Sequence, residues 1–204
     1  MVVFDATMLA LLIRPESGVP LDSTTGTPVS SVQERIAYFV AQNDKTRTRI
    51  GLPTPALSEA LVRAGADAIR ILEKIKEFSV FEILPFDELS AIELAILTRN
   101  ALDEGDKRGG SVDPWGKVKF DRQIIAIARV RQATAIYTDD RGLRRLAARL
   151  NIPAIGIAEM PLPAETAQGK LPLDTPPTME NLDAPTLDEI EDARDAEIEQ
   201  PGTT

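Results

Sequence analysis

Short apolar runs and helical stripes alternate along the first three-quarters of the chain. Val2-Val3-Phe4 and Ala135-Ile136-Tyr137-Thr138 are runs of the kind that form strands buried on both faces of a parallel sheet. Val80 to Leu84 alternates toward a strand, Ile50-Gly51-Leu52 makes another short one, and Pro153 to Ile157 the last. Between them, helical spacing predicts helices over 6–13 and from about Ser31 to Gln42, the latter with Val32, Ile36, Phe39 and Val40 on one side. A further helix starts at Pro55, with Thr54 as its cap, and runs to about Glu77 with a break near Gly65. Three more cover Asp87 to about Leu102, 119–132 and 141–150, while 14–29 and 103–118 read as loops. Strands alternating with helices predict an α/β domain with three layers, a central parallel sheet and helices on both faces.

The pattern changes at Glu159. Residues 159–204 hold 12 of the 32 acids, 2 of the 23 bases, 7 of the 15 prolines and no aromatic residue. That segment carries −10, so residues 1–158 carry +1 and the net −9 belongs to the tail. The expected organisation is a domain over 1–158 and an acidic, Pro-rich, mostly extended or disordered tail over 159–204. A capping box at Thr186 and Glu189 marks a short helix at 186–199. Such a tail serves solubility, binds a partner, or covers a basic groove of the body. A charge-balanced body with local basic clusters is compatible with nucleic-acid binding.

There is no cysteine and no histidine. Disulfides, Cys/His zinc sites, thiol nucleophiles and imidazole bases are excluded. Chemistry near neutral pH must come from carboxylates, Lys, Tyr or water activated by a hard cation. The apolar stretch Met8 to Ile13 has no basic residue before it and follows Asp5, so it reads as neither signal peptide nor membrane span. The expectation is a soluble cytoplasmic protein without a membrane partner.

Acids stand where the first and fourth of these runs end. Asp5 closes Val2 to Phe4, and Asp139-Asp140 close Ala135 to Thr138. In open parallel sheets, ligands bind at the carboxyl ends of the strands. Two carboxylates roughly 5 Å apart at an effective dielectric of about 20 repel by about 3 kcal/mol, which a divalent metal relieves. Asp121 falls on the same helix face as Ile124, Ile125 and Ala128, a face expected to be buried. Each of these acids also has a plain alternative as a helix cap or a partner of a helix N-terminus. Glu59 points away from the stripe Leu57, Ala60, Leu61 and Ala64, and Glu93 flanks the stripe Ile92, Ala95 and Ile96; by pattern both are solvated. No Gly-rich phosphate loop is present.

Basic residues gather at Lys45-Arg47-Arg49, at Lys107-Arg108 with Lys117 and Lys119, and at Arg141-Arg144-Arg145-Arg149. Trp115, the one tryptophan, stands among the second group, where it either stacks a base or packs on the body. Lys107, Arg108, Trp115, Lys117, Lys119 and Arg141 are the candidate nucleic-acid contacts.

Four segments together resemble the PIN-domain ribonucleases, particularly the bacterial VapC-type toxins. Val2-Val-Phe-Asp5-Ala-Thr7 is similar to the family's opening strand with its first acid. The segment Ile50 to Leu61 resembles the one bearing the second acid, at Glu59, and Val118 to Ala128 the helix bearing the third, at Asp121. Thr138-Asp139-Asp140 resembles a Thr-Asn-Asp motif whose acid falls at Asp140. The resemblance covers about residues 1–157 and is weaker across 14–48.

It implies a Rossmann-like PIN fold and a metal-dependent endoribonuclease leaving 5′-phosphate and 3′-hydroxyl ends. Asp5, Glu59, Asp121 and Asp140 would be catalytic, and with Asp139 they would hold Mg²⁺ or Mn²⁺. Thr7, Thr138 and Glu93 would support those carboxylates. An antitoxin protein and a homodimer are the implied partners besides RNA. The rival readings are a non-catalytic PIN-like RNA- or protein-binding module, and a dehalogenase-like phosphatase. The latter's Asp-x-Asp is missing because Thr7 stands at its second position.

Overall fold

Val2–Phe4 (β1), Ile50–Pro53 (β2), Phe81–Leu84 (β3), Ile136–Tyr137 (β4) and Ala154–Ile155 (β5) form one parallel sheet in the order β3-β2-β1-β4-β5. They belong to a computed structural model that describes residues 1–13, 18–22 and 25–163. Parallel pairing requires a crossover between successive strands, and seven helices among the described residues supply it. They are Ala6–Ile13 (α1), Val32–Lys45 (α2), Thr54–Ala64 (α3), Ala68–Glu77 (α4), Glu88–Asp103 (α5), Trp115–Val130 (α6) and Arg141–Arg149 (α7). The helices flank the sheet, α1 packing on α3 and α3 on α4, and α6 packing on both α5 and α7. The expected α/β, PIN-like architecture is what the chain adopts.

β1, β2 and β4 are short but wholly buried, which is why they read as apolar runs, while the outer strands β3 and β5 are only partly buried. Val3, Phe4, Ile50, Leu52 and Ile136 are fully inside, each stabilising the fold by about 1.5–3 kcal/mol. Gly51 leaves the space into which the Leu84 side chain packs from β3; any Cβ there would collide with it. Phe39 of α2 lies between Phe4 and Tyr137, with ring centroids 5.8 and 4.4 Å away, pinning α2 over the middle of the sheet.

The connection order creates the feature that matters for function. The chain moves outward from β1 to β2 to β3, then returns to place β4 on the other side of β1. A crevice opens where the direction of winding reverses, at the carboxyl ends of β1 and β4. Their register pairs Phe4 with Tyr137, so Asp5 and Thr138 emerge side by side. The Asp5 N–H donates to the Tyr137 carbonyl at 3.2 Å.

Several expectations shift. Helix α6 begins at Trp115 instead of 119, shortening the preceding loop. Thr54 opens α3 but does not cap it; its hydroxyl accepts from the Phe86 N–H at 3.0 Å and ties α3 to the end of β3. A 3-10 turn at Gly65–Asp67 makes the break expected near Gly65. The stripe Ile92 and Ile96 lies on the outer side of α5, each about 50% exposed, while Ser90 and Leu97 face inward. Met160 is buried and Arg35 donates to the carbonyls of Ala158 and Met160, so the folded body continues past the expected boundary at 158. The tail beyond 163, including the helix expected at 186–199, lies outside the described residues. No helix among the described residues is long and apolar enough to cross a membrane.

Candidate active site

The crevice holds a cavity of about 490 Å³ whose lining includes Asp5, Thr7, Glu59, Lys117, Asp121 and Asp140. Four elements deliver the acids: the end of β1, helix α3, helix α6 and the cap of α7. Asp5 is 3% exposed, and it sits there because the backbone leaves β1 and turns at once into α1. Its Oδ1 accepts from the Met8 N–H at 2.8 Å and its Oδ2 from the Thr138 hydroxyl at 2.5 Å. Burial pushes its carboxyl up to about 7, against the pull of those two bonds. The helix-cap reading of Asp5 is therefore correct as far as it goes, but it leaves a buried carboxylate that meets no cation among its described bonds.

Asp121 is 8% exposed on the inward face of α6, as its spacing from Ile124, Ile125 and Ala128 predicts. Burial raises it to about 6; Lys117 opposes that rise, and Asp140 and Asp113 add to it. Asp140 caps α7, its Oδ1 accepting from the Leu143 N–H at 2.9 Å. Burial would raise Asp140 as well, yet Lys117 and the N–H groups of Leu143 and Gly142 outweigh it and hold the carboxyl below its usual value. The two acids share one lysine and shift in opposite directions, because only Asp140 also receives backbone donors. Thr138 serves two ends at once, since its hydroxyl also accepts from the Asp140 N–H at 3.0 Å.

Other candidates lie elsewhere or are already occupied. Glu59 borders the cavity but is ion-paired with Arg63 at 2.5 Å, one turn along α3, in keeping with its solvated pattern. Glu93 pairs with Arg129 at 2.9 Å between α5 and α6, and it does not border the cavity. Asp139 turns the other way from Asp140: its Oδ1 accepts from the Ile157 N–H at 3.1 Å, holding the chain after β5. Thr7 lines the cavity.

Lys117 is directed at Asp121 and Asp140. Lys107 lies over the Trp115 ring at 4.4 Å and Arg122 at 5.5 Å, so the tryptophan face is engaged with cations. Arg108, Lys119 and Arg141 are exposed, the last two on the helices that carry Asp121 and Asp140. Arg144, Arg145 and Arg149 tie the body together through Glu159, the Gly110 carbonyl and Asp106. Lys45, Arg47 and Arg49 precede β2 at the opposite edge of the sheet.

Two residues escaped the sequence reading. Asp113 stands near enough to Asp121 to raise it, and Gly142 sits under the cluster. A Cβ on Gly142 would collide with Asp113 Oδ2 and come within 3.1 Å of Asp140 Oδ1 and 3.5 Å of Asp121 Oδ2. The Gly after Arg141 was the available signal, since a helix N-terminus gains nothing from Gly unless space is required.

The fold is thus a parallel α/β, PIN-like architecture with an acidic crevice at its switch point. No family model and no curated protein matches the sequence. Among solved structures, it is similar to a chain of VapBC2 from Rickettsia felis bound to a DNA fragment from their promoter, with a TM-score of 0.51 and 14% identity over 76% of this chain and 98% of that one. It is also similar to a chain of DNA-bound VapBC from Salmonella typhimurium, with a TM-score of 0.50 and 18% identity over 76% of this chain and 97% of that one. At these identities the likeness establishes the fold.

Proposed function

We propose that this chain is a metal-dependent endoribonuclease of the toxin type, working with a protein antitoxin. The observation that carries the reading is the cavity at the switch point, lined by carboxylates from separate elements, two of them raised by burial. An all-oxygen donor set suits Mg²⁺ or Mn²⁺. Lys117 is a stand-in for a cation there, with its Nζ 3.0 Å from Asp121 and 2.8 Å from Asp140. Asp5, Asp121 and Asp140 would hold the ion, and Glu59 would join on leaving Arg63. The chemistry a divalent cation supplies in such a site is activation of water toward phosphorus and neutralisation of charge on the departing oxygen.

The chain's own groups prepare that site. The Thr138 hydroxyl and Met8 N–H fix both oxygens of Asp5, and the Leu143 N–H fixes one oxygen of Asp140 while its other stays in the cavity. Lys119 and Arg141, exposed on the bordering helices, would draw in the RNA backbone. The fold shared with chains of VapBC complexes supports an antitoxin partner.

One observation favours the rival, a non-catalytic binding module. Among the described residues no three carboxylates converge closely enough to hold an ion as they stand. Incubation of a mixed structured RNA pool with Mg²⁺, Mn²⁺ or EDTA decides between them. Cutting that needs metal and vanishes in Asp5→Asn and Asp121→Asn supports the nuclease. RNA retention without cutting, unchanged in both variants, supports the module.

A further inference from the structure

Lys117 stands one turn before Asp121 on α6, and its Nζ reaches both Asp121 Oδ2 and Asp140 Oδ2. The two carboxylates come from different helices, so this single ammonium joins α6 to the cap of α7. Asp5 is left out of the arrangement. Its oxygens accept from the Met8 N–H and the Thr138 hydroxyl, neither of them cationic. Asp5, Asp121 and Asp140 thus share one positive charge, placed on two of them, while Glu59 at the same cavity has Arg63. Among the described residues no third carboxylate joins Asp121 and Asp140 closely enough to complete a three-ligand group.

We propose that Lys117 is a built-in counter-ion standing between Asp121 and Asp140 where a divalent cation binds, and that it must withdraw for metal to enter. The inference rests on the metal-dependent reading of the same cavity. An ammonium and a divalent ion repel too strongly to share that position. The four-carbon stem of lysine lets the ammonium leave without moving the helix, and the Lys117 side chain is already 37% exposed. Once withdrawn, the ammonium remains at the cavity, where the phosphodiester of an RNA strand is its natural partner. Lys117 is therefore a positioning residue: it offsets the repulsion between Asp121 and Asp140 and sets the metal concentration at which the site fills.

Mn²⁺ binding to the full chain, followed by electron paramagnetic resonance or titration calorimetry, tests this without relying on activity. Wild type is compared with Lys117→Met and Lys117→Arg, with circular dichroism confirming the fold. We expect Lys117→Met to bind Mn²⁺ about ten-fold more tightly than wild type. Lys117→Arg keeps the competing charge and should stay within about three-fold of wild type. If Lys117→Met does not fold, Lys117→Gln carries the same comparison. Unchanged or weaker Mn²⁺ binding in the neutral variant overturns the inference and leaves the metal reading standing. Failure of wild type and all variants to bind Mn²⁺ at millimolar concentration overturns both.

Discussion

Asp139 and Asp140 are neighbours in sequence and opposites in the fold. Asp140 faces the cavity with Asp5 and Asp121; Asp139 faces the backbone after β5 and accepts from the Ile157 N–H. The same division runs through the other acids. Glu59 has Arg63 and Glu93 has Arg129, each a private cation on its own or an adjacent helix. Among Asp5, Asp121 and Asp140, by contrast, one lysine serves two carboxylates and Asp5 meets none. A carboxylate with its own partner is structure. One held at the cavity without enough positive charge is poised for a cation; Asp139, also raised by burial and with its Oδ2 lacking a hydrogen-bond partner, carries its own shortage away from the cavity.

The largest expected effect is on cleavage. Asp5→Asn and Asp121→Asn should each lower the rate of RNA cutting by more than about 100-fold, measured at saturating Mg²⁺. Glu93→Gln should leave the rate within about three-fold and instead lower stability by no more than about 1 kcal/mol in urea melts, because its partly exposed ion pair with Arg129 is lost. A Glu93 variant as inactive as Asp121→Asn would erase the division between the two groups of acids.

Next is a stability effect of opposite sign. Asp5 and Asp121 bind protons more tightly in the folded chain than in the unfolded one, since burial raises them from 3.8 to about 7 and about 6. The metal-free protein should therefore be most favoured by these groups below about pH 4 and lose that contribution as pH climbs through 6 and 7. For Asp5 alone the loss is on the order of 4 kcal/mol. Asp5→Asn should accordingly stabilise the metal-free protein at pH 8 by about 1–3 kcal/mol, a rise of several degrees in Tm, while abolishing cutting. Saturating Mg²⁺ should flatten the pH dependence of the wild-type melting curve. A wild-type curve with the same pH slope in Mg²⁺ and EDTA would count against metal held by Asp5.

The smallest effect concerns the floor of the cluster. Gly142→Ala should cost about 1–2 kcal/mol, because the new methyl crowds Asp113, Asp140 and Asp121. Thermal melts read this directly, and a neutral result would mean that the acids shift freely around Gly142.

Much of this was legible in the chain because it depends on local pattern. Buried parallel strands read as Val2-Val3-Phe4 and Ile136-Tyr137, and an acid straight after such a run is placed at the sheet edge by covalent continuity. Asp121 was legible from its helical face. Strand order was not, since nothing local records that the chain returns beside β1 after β3. Pairing between distant elements was hidden for the same reason: Glu93 with Arg129 and Asp139 with Ile157 are tertiary facts. The Ile92 and Ile96 stripe misled because a helical stripe has the same spacing whether it faces a core or the outside. Lys117 was the missed opportunity. Its four-residue offset from Asp121 announces the ion pair, and only its reach to Asp140 needed the fold.

The most direct measurement is the cleavage rate of Asp140→Asn beside Asp139→Asn, on one RNA, at saturating Mg²⁺, per folded molecule by circular dichroism. We expect Asp140→Asn to lose more than about 100-fold and Asp139→Asn to keep most of the wild-type rate. Equal losses in both, or full activity in Asp140→Asn, would contradict the assignment of the cavity as the catalytic centre.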